Sequence, residues 1–231
     1  MIFPGGNELA VQQSTGAYVY STELLERRWI SDKTFEIKLA RPPGFQFEPG
    51  QRIRLIHEKI ERDYSLVSAP GDSNLVLCIR HITGGAFSSI LVDARIGERL
   101  RFSGPHGYFL FYPSGRPAVL IATGTGIAPF CAMACSGLKN FTLLHGVRSS
   151  DELYYASVFR VRTTHYIACL SAESRLPRGT FRGRVTGYLK KNLPVETYDF
   201  YLCGRSEMIR DAMAVIDDRF KGSFVYTEIF Y

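Results

Sequence analysis

Long hydrophobic runs are missing from this 231-residue chain: no apolar stretch approaches the ~18 residues a membrane-spanning helix needs. The opening residues, Met1-Ile2-Phe3-Pro4-Gly5-Gly6, lack the basic region and apolar stretch of a secretory signal. Cysteine is sparse and odd in number, with Cys78, Cys131, Cys135, Cys169 and Cys203 in a chain large enough to bury a core. That argues against a secreted disulfide scaffold and for a reducing, cytoplasmic setting. His57, His81, His106, His145 and His165 fall at no metal-ligand spacing, and none pairs with a cysteine cluster, so no metal is expected. Gly-x-Ser-x-Gly is absent, and with it the nucleophile elbow of many serine hydrolases. There is no long basic run and no stripe of interleaved basic and aromatic residues, which argues against nucleic acid as a partner.

What is present is ordinary globular material, 45% apolar and 22% charged, in a length that allows one large domain or two compact ones. The net charge of +6 is uneven: residues 1–112 carry 13 basic and 12 acidic side chains, residues 113–231 carry 15 and 10. Of the 28 basic residues 21 are arginine. Arginine suits bidentate recognition of phosphate and carboxylate, and solvated surface charge is the alternative reading.

Residues 1–16 show no period and read as a loose lead-in. From Ala17 the pattern is strand-like. Thr34–Leu39 and Gln51–Ile56 alternate with period two, Asn74–His81 and Arg99–Ser103 follow, and turn residues such as Pro42-Pro43-Gly44, Pro49-Gly50 and Pro70-Gly71-Asp72 punctuate the series. One short helix fits Ala86–Ala94. These strands suggest a small antiparallel β-barrel over residues 17–112. After Pro113-Ser114-Gly115 the grammar changes. Ala118–Ala122 is a continuous apolar run, as expected of a strand buried on both faces. Further strands are expected at Phe141–Leu144, Tyr166–Leu170, Phe200–Cys203 and Phe224–Tyr226, with helices between them at Gly187–Leu193 and Ser206–Asp217. Alternating strands and helices predict a doubly wound parallel-sheet α/β domain over residues 113–231.

Three motifs suggest anion seats. Thr123-Gly124-Thr125-Gly126-Ile127-Ala128-Pro129 follows a buried strand and opens a helix, whose N-terminus offers free N–H groups and a positive dipole end; it is otherwise a tight βα turn. Pro129 stands where the dinucleotide fingerprint wants a third glycine. Arg62-Asp63-Tyr64-Ser65 offers a cation, an aromatic face and a hydroxyl, with Arg62 and Tyr64 on one face if the segment is a strand. Arg80-His81-Ile82-Thr83-Gly84-Gly85-Ala86-Phe87-Ser88 is a glycine turn leading into a helix.

In combination these segments resemble the ferredoxin–NADP(+) reductase superfamily. The resemblance rests on Arg62–Ser65, Gly85–Ser88, Gly104-Pro105-His106-Gly107-Tyr108-Phe109, Gly124–Pro129, Cys203-Gly204 followed by Met208, and the ending Glu228-Ile229-Phe230-Tyr231, in order over residues 18–231. It implies FAD in the barrel and NADP(H) or NAD(H) in the second domain. Arg62 would then hold the flavin pyrophosphate, with Asp63 part of the same flavin site; Tyr64 would stack on the ring, and the Ser65 hydroxyl would approach flavin N5. Ile79, Arg80 and His81 would line the ribityl and phosphate path, Gly85, Ala86 and Ser88 would bind pyrophosphate from the helix N-terminus, and Phe87 would belong to the same flavin site. Thr123, Gly124, Thr125, Gly126, Arg148, Ser171, Arg175, Cys203, Gly204 and Met208 would hold the nicotinamide nucleotide. Ser65, Cys203 and Glu228 would flank hydride transfer, and Phe230 with Tyr231 would cover the flavin. Cys203 also reads as a small core hydrophobe, and the terminal aromatics as sheet-edge packing.

Three features depart from that pattern. Ser171-Ala172 stands where NADP-preferring relatives often have Ser-Arg, with Glu173 beside it, so that Arg148, Arg175 and Arg178 would have to supply the cation. Tyr231 extends one residue past the Glu-x-aromatic ending. No cysteine-rich iron–sulfur segment stands in these residues, and onward electron transfer from flavin alone is expected. The resemblance implies a cytoplasmic flavoprotein, monomer or homodimer, exchanging electrons between NAD(P)H and ferredoxin or flavodoxin. The alternatives are an NAD(P)H:flavin oxidoreductase and a non-catalytic electron-transfer subunit of a larger complex.

Overall fold

The computed structural model describes residues 13–14 and 17–230. Tyr231 and most of the expected lead-in lie outside these residues; of the lead-in, Gln13 and Ser14 pair with the following strand.

The first half contains β1 (Gln13–Ser14), β2 (Ala17–Ser31), β3 (Thr34–Ala40), β4 (Arg52–His57), β5 (Ile60–Ser65), β6 (Asn74–Arg80) and β7 (Arg99–His106). All pair antiparallel in the order β5-β4-β7-β2-β3-β6. β2 is long enough to serve two neighbours: its first part pairs with β7 and its second with β3. A bridge between Leu66 and Leu77, and the bond from Val67 N to Val76 O at 2.9 Å, bring the two ends of the order together and close the barrel. Alternation decides what fills it. Phe35, Ile37 and Leu39 of β3 point inward with Leu75, Leu77 and Ile79 of β6 and Ile53 and Leu55 of β4. Helix α1 (Ala86–Asp93) adds Phe87 and Leu91 to this core.

The second half is a parallel sheet of β8 (Ala118–Thr123), β9 (Phe141–Val147), β10 (Thr163–Leu170), β11 (Thr180–Arg182), β12 (Asp199–Arg205) and β13 (Phe224–Phe230), in the order β11-β10-β9-β8-β12-β13. The connecting helices are α2 (Ala128–Cys135), α3 (Ala156–Arg160), α4 (Val185–Lys191) and α5 (Ser206–Arg219). Successive β8 side chains alternate between two cores. Leu120 and Ala122 join α2, α3, Tyr201 and Cys203, while Val119 and Ile121 join α4, α5, Phe200 and Leu202. The chain runs outward from β8 in one direction, then returns to lay β12 on its other side. That reversal is a topological switch point, where ligands of open α/β sheets bind beyond the carboxyl ends of the strands.

The halves share a core. Val67, Cys78 and Phe109, from the barrel side, pack in the same cluster as Ile127, Ala128 and Tyr201. Polar anchors add to it: Tyr154 OH donates to Thr34 Oγ1 at 2.8 Å and Tyr155 OH to Glu36 Oε1 at 2.7 Å.

Gly126 sits under the switch point in the 3₁₀ turn Gly124–Ile127. A Cβ there would collide with the Cys203 carbonyl and lie 2.8 Å from the Gly204 Cα, both main-chain atoms that cannot swing aside. Gly126→Ala is therefore expected to destabilise by about 1–3 kcal/mol, the usual cost of overpacking. Gly71, with open space around its Cα, should tolerate alanine within ~0.5 kcal/mol. Urea midpoints of the two variants check this, and equal midpoints would contradict it.

Candidate functional site

A cleft of about 1610 Å³ runs between the barrel and the carboxyl end of the parallel sheet. It exceeds the ~300–1,000 Å³ of an ordinary small-ligand pocket, so it has room for more than one nucleotide.

The barrel wall starts with β5. The strand places Arg62, Asp63, Tyr64 and Ser65 along the cleft. Tyr64 tilts against Phe87 with ring centroids 6.2 Å apart, and burial pushes its hydroxyl pKa up, so it stays neutral. Ser65 Oγ is buried without a hydrogen-bond partner. Arg62 is exposed, and among the described residues its guanidinium donates only to its neighbour's carbonyl, Glu61 O, at 2.7 Å. Asp63 is engaged by protein: Arg54 Nε donates to it at 2.6 Å and Arg52 Nε at 3.0 Å. Burial pushes its carboxyl pKa up, but the two guanidiniums outweigh that and hold it below its ordinary value.

Beyond β5, Gly85, Ala86, Phe87 and Ser88 line the cleft at the start of α1, which no side chain caps, so its leading N–H groups face an anion free of competition. Ser88 serves the turn itself, its Oγ accepting from Ile82 N at 3.1 Å. The expectation for Ile79-Arg80-His81 is corrected by strand alternation. Arg80 lines the cleft, but Ile79 points into the barrel core and His81 turns edge-on to Trp29 at 5.8 Å; Cys78 takes the place facing the cleft.

On the sheet side Thr123, Gly124, Thr125, Arg148, Ser171 and Met208 line the cleft, and Thr123 Oγ1 is a second buried hydroxyl without a partner. Gly126, Gly204 and Arg175 do not line it; the two glycines are packed against the ends of β12 and β8. Cys203 is fully buried and does not reach the cleft surface either. Burial and the neighbouring Glu228, its register partner on β13, push its thiol pKa far up. Glu173 accepts from Ser150 N at 2.7 Å, so its carboxylate is engaged by the main chain. Glu228 and Phe230 line the cleft at the end of β13. Burial pushes the Glu228 carboxyl pKa up, opposed by Arg52, whose Nη1 donates to Oε1 at 2.7 Å.

Sequence reasoning missed Arg52, Arg184 and Arg205, all on the cleft. Arg205 had a legible signal, lying between Gly204 and the start of α5, as did Arg184 at the start of α4. Arg62, Arg148, Arg184 and Arg205 have no carboxylate within ion-pair distance among the described residues, whereas Arg52, Arg54 and Arg80 do. Unpaired guanidiniums along a cleft that also holds two orphaned hydroxyls form a donor set suited to phosphates and ring heteroatoms. These residues fit a flavin on the barrel side and a nicotinamide nucleotide on the sheet side.

The Asp63 cluster makes stability depend on pH. With its pKa lowered in the folded state, Asp63 contributes stability above the ordinary carboxylate range, and that contribution is lost as pH falls below about 4. The gap in urea midpoint between the native protein and Asp63→Asn should therefore shrink from pH 6 to pH 3. A constant gap would contradict the assignment.

Comparison with known proteins agrees with this geometry. An oxidoreductase FAD-binding domain model matches residues 21–111, and an oxidoreductase NAD-binding domain model matches residues 120–214. The chain is 31% identical over 223 residues to the toluate 1,2-dioxygenase electron transfer component of Pseudomonas putida, covering 89% of this chain and 65% of that protein. It is 30% identical to the flavodoxin/ferredoxin–NADP reductase of Buchnera aphidicola, covering 67% of this chain and 68% of that protein. A ferredoxin NADP+ reductase from Neisseria gonorrhoeae, solved with bound FAD and NADP, shares the fold with a TM-score of 0.82 at 22% identity, over 92% of this chain and 99% of that one. The chain spans 65% and 59% of the dioxygenase reductase components from Pseudomonas putida and Comamonas. Among the described residues, no helix is long and apolar enough to cross a membrane. With an FAD-binding barrel followed by an NAD-binding parallel sheet, the chain belongs to the ferredoxin–NADP(+) reductase-like flavoproteins.

Proposed function

We propose that this protein is an FAD-dependent oxidoreductase that moves electrons between NAD(P)H and a one-electron carrier such as ferredoxin or flavodoxin, working in the cytoplasm as a monomer or homodimer. Residues 17–112 would form the flavin half and 113–231 the nicotinamide half. The observation that carries this reading is the cleft shared by both halves, with a buried unpaired hydroxyl on each wall, Ser65 on the barrel and Thr123 on the sheet.

Bound FAD would supply hydride exchange with a nicotinamide and one-electron exchange with the carrier. The chain supplies binding, orientation and exclusion of water. Arg62 and the open N-terminus of α1 would hold phosphates of the flavin. Tyr64 presents a neutral aromatic face beside Phe87. Ser65 offers a donor that costs no reorganisation, since no protein group competes for it. Arg148, Arg184 and Arg205 would hold the phosphates of the second nucleotide. Phe230, at the end of β13, would close the cleft over the flavin. Cys203 would act from behind this surface, as packing under the nicotinamide seat.

The test is the purified protein itself. It should be yellow and release FAD on heating, and stopped-flow mixing with NADPH or NADH should bleach the flavin. Colourless protein that turns over added free flavin would shift the assignment to the flavin oxidoreductase reading. A yellow protein reduced by neither nucleotide would overturn the proposal.

Ser65 gives a two-sided test. In the flavin-free protein, Ser65→Ala removes a buried unsatisfied hydroxyl, so the unfolding free energy from urea titration should hold or rise, by up to about 1 kcal/mol. In the loaded protein, losing one hydrogen bond should slow flavin reduction roughly tenfold, the equivalent of ~1.4 kcal/mol. Loss of stability in the flavin-free protein with an unchanged reduction rate would remove Ser65 from the site.

A further inference from the structure

The guanidinium of Arg52 joins the two halves, meeting a carboxylate 176 residues away in the chain. Arg52 opens β4, where its cross-strand partner on β5 is Ser65 and its partner on β7 is His106. Its side chain is 27% exposed and reaches two carboxylates: Nε meets Asp63 at 3.0 Å, and Nη1 meets Glu228 at 2.7 Å, where the Glu228 side chain is only 13% exposed. The path is kept open by Gly107. Its φ of +90° is a glycine conformation, and a Cβ there would stand 2.7 Å from Arg52 Nη1.

The two carboxylates do not depend on Arg52 equally. Asp63 has Arg54 as a second partner at 2.6 Å, whereas Arg52 is the one cation within ion-pair distance of Glu228 among the described residues. The other titratable or charged groups around the pair are Arg54 on β4, Glu61 and Asp63 on β5, His106 at the end of β7 and Cys203 on β12; Arg54, the one other permanent cation among them, is held by Asp63 and Glu61 and not by Glu228. Without Arg52, Glu228 would be a largely buried carboxylate beside Asp63, with Phe230 two residues further along the strand.

We propose that Arg52 is a positioning residue for Glu228, pinning the end of β13 to the barrel and holding the Glu228 carboxylate in this ion pair during flavin reduction. The proposal rests on the oxidoreductase reading for the reaction it serves, but the ion pair is measurable without that reaction.

The experiment compares native holoprotein with Arg52→Gln and Arg52→Lys, and uses Glu228→Gln to identify the Glu228 signal. Carboxylate NMR with carbon-13-labelled Glu and Asp gives the titration midpoints of Glu228 and Asp63. The pH profile of flavin reduction by NADPH and NADH gives the functional counterpart. In Arg52→Gln, the Glu228 midpoint should rise by roughly one pH unit or more, the effect of removing an adjacent opposite charge. Asp63, still held by Arg54, should move less. The acid limb of the reduction profile should rise with Glu228 and should be absent in Glu228→Gln. Arg52→Lys keeps a charge but cannot fork between two carboxylates, so it should give a smaller shift in the same direction, and it preserves the test if the glutamine variant fails to fold. An unmoved Glu228 midpoint, or equal shifts in Glu228 and Asp63, would overturn the proposal. So would a Glu228 shift with an unchanged reduction profile, which would leave Arg52 a purely structural tie. If the native holoprotein is reduced by neither nucleotide, the functional reading fails, while the NMR midpoints still decide the ion pair.

Discussion

The burial of one apolar face shared by the barrel and the parallel sheet is the constraint on which the rest of the molecule depends. Val67, Cys78 and Phe109 leave the barrel's own interior and pack with Ile127, Ala128, Phe130 and Tyr201. Each aromatic or aliphatic side chain fully buried there is worth about 1.5–3 kcal/mol relative to exposure, enough to hold two separately cored units in one orientation. Only because this contact closes one side does the other side remain a defined cleft. Cys78 belongs to both, contributing to the shared core and to the cleft wall.

Charge is then distributed within that frame by pairing. The cleft is rich in arginine, but carboxylates claim some of it: Arg54 by Asp63 and Glu61, Arg80 by Glu152, and Arg52 by two carboxylates together. What is left over, on Arg62, Arg148, Arg184 and Arg205, sits on both walls, matching a reading in which each wall receives its own phosphates. The parallel sheet contributes the other half of the anion logic through its topology, because the reversal at β8 brings the turn after one strand beside the end of β12.

Much of this was legible in the sequence. The period-two strands of the first half, the buried run at Ala118–Thr123 and the helix at Ala86–Asp93 follow from local pattern and turn chemistry, and the ordered motifs gave the family. The misplacements have physical causes. Ile79 and His81 flank Arg80, and alternation sends neighbours of a cleft-facing residue away from the cleft, which a motif read as a contiguous string ignores. Cys203 lies on a strand buried on both faces, where sequence cannot tell a side chain at the surface of a site from one just beneath it. Helix α4 begins at Val185, two residues before the segment Gly187–Leu193 that periodicity marks, so Arg184 at its N-cap falls outside the pattern. Arg52 was beyond reach: nothing local to β4 says that its guanidinium meets a carboxylate 176 residues away.

Tyr155 is a further element of the assembly. It holds a left-handed backbone conformation, φ 59°, unusual for an aromatic residue, while its hydroxyl and that of Tyr154 anchor on Glu36 and Thr34 of β3. These anchors follow β9, whereas the contact between Arg52 and Glu228 lies at edge strand β13, on the far side of β8. Two bodies attached at one point can pivot; attached at two separated points, they keep a single axis at most. Held on both flanks of β8, the barrel and the sheet keep the two walls of the cleft in one register, and a jaw-like opening would have to break both sets of contacts.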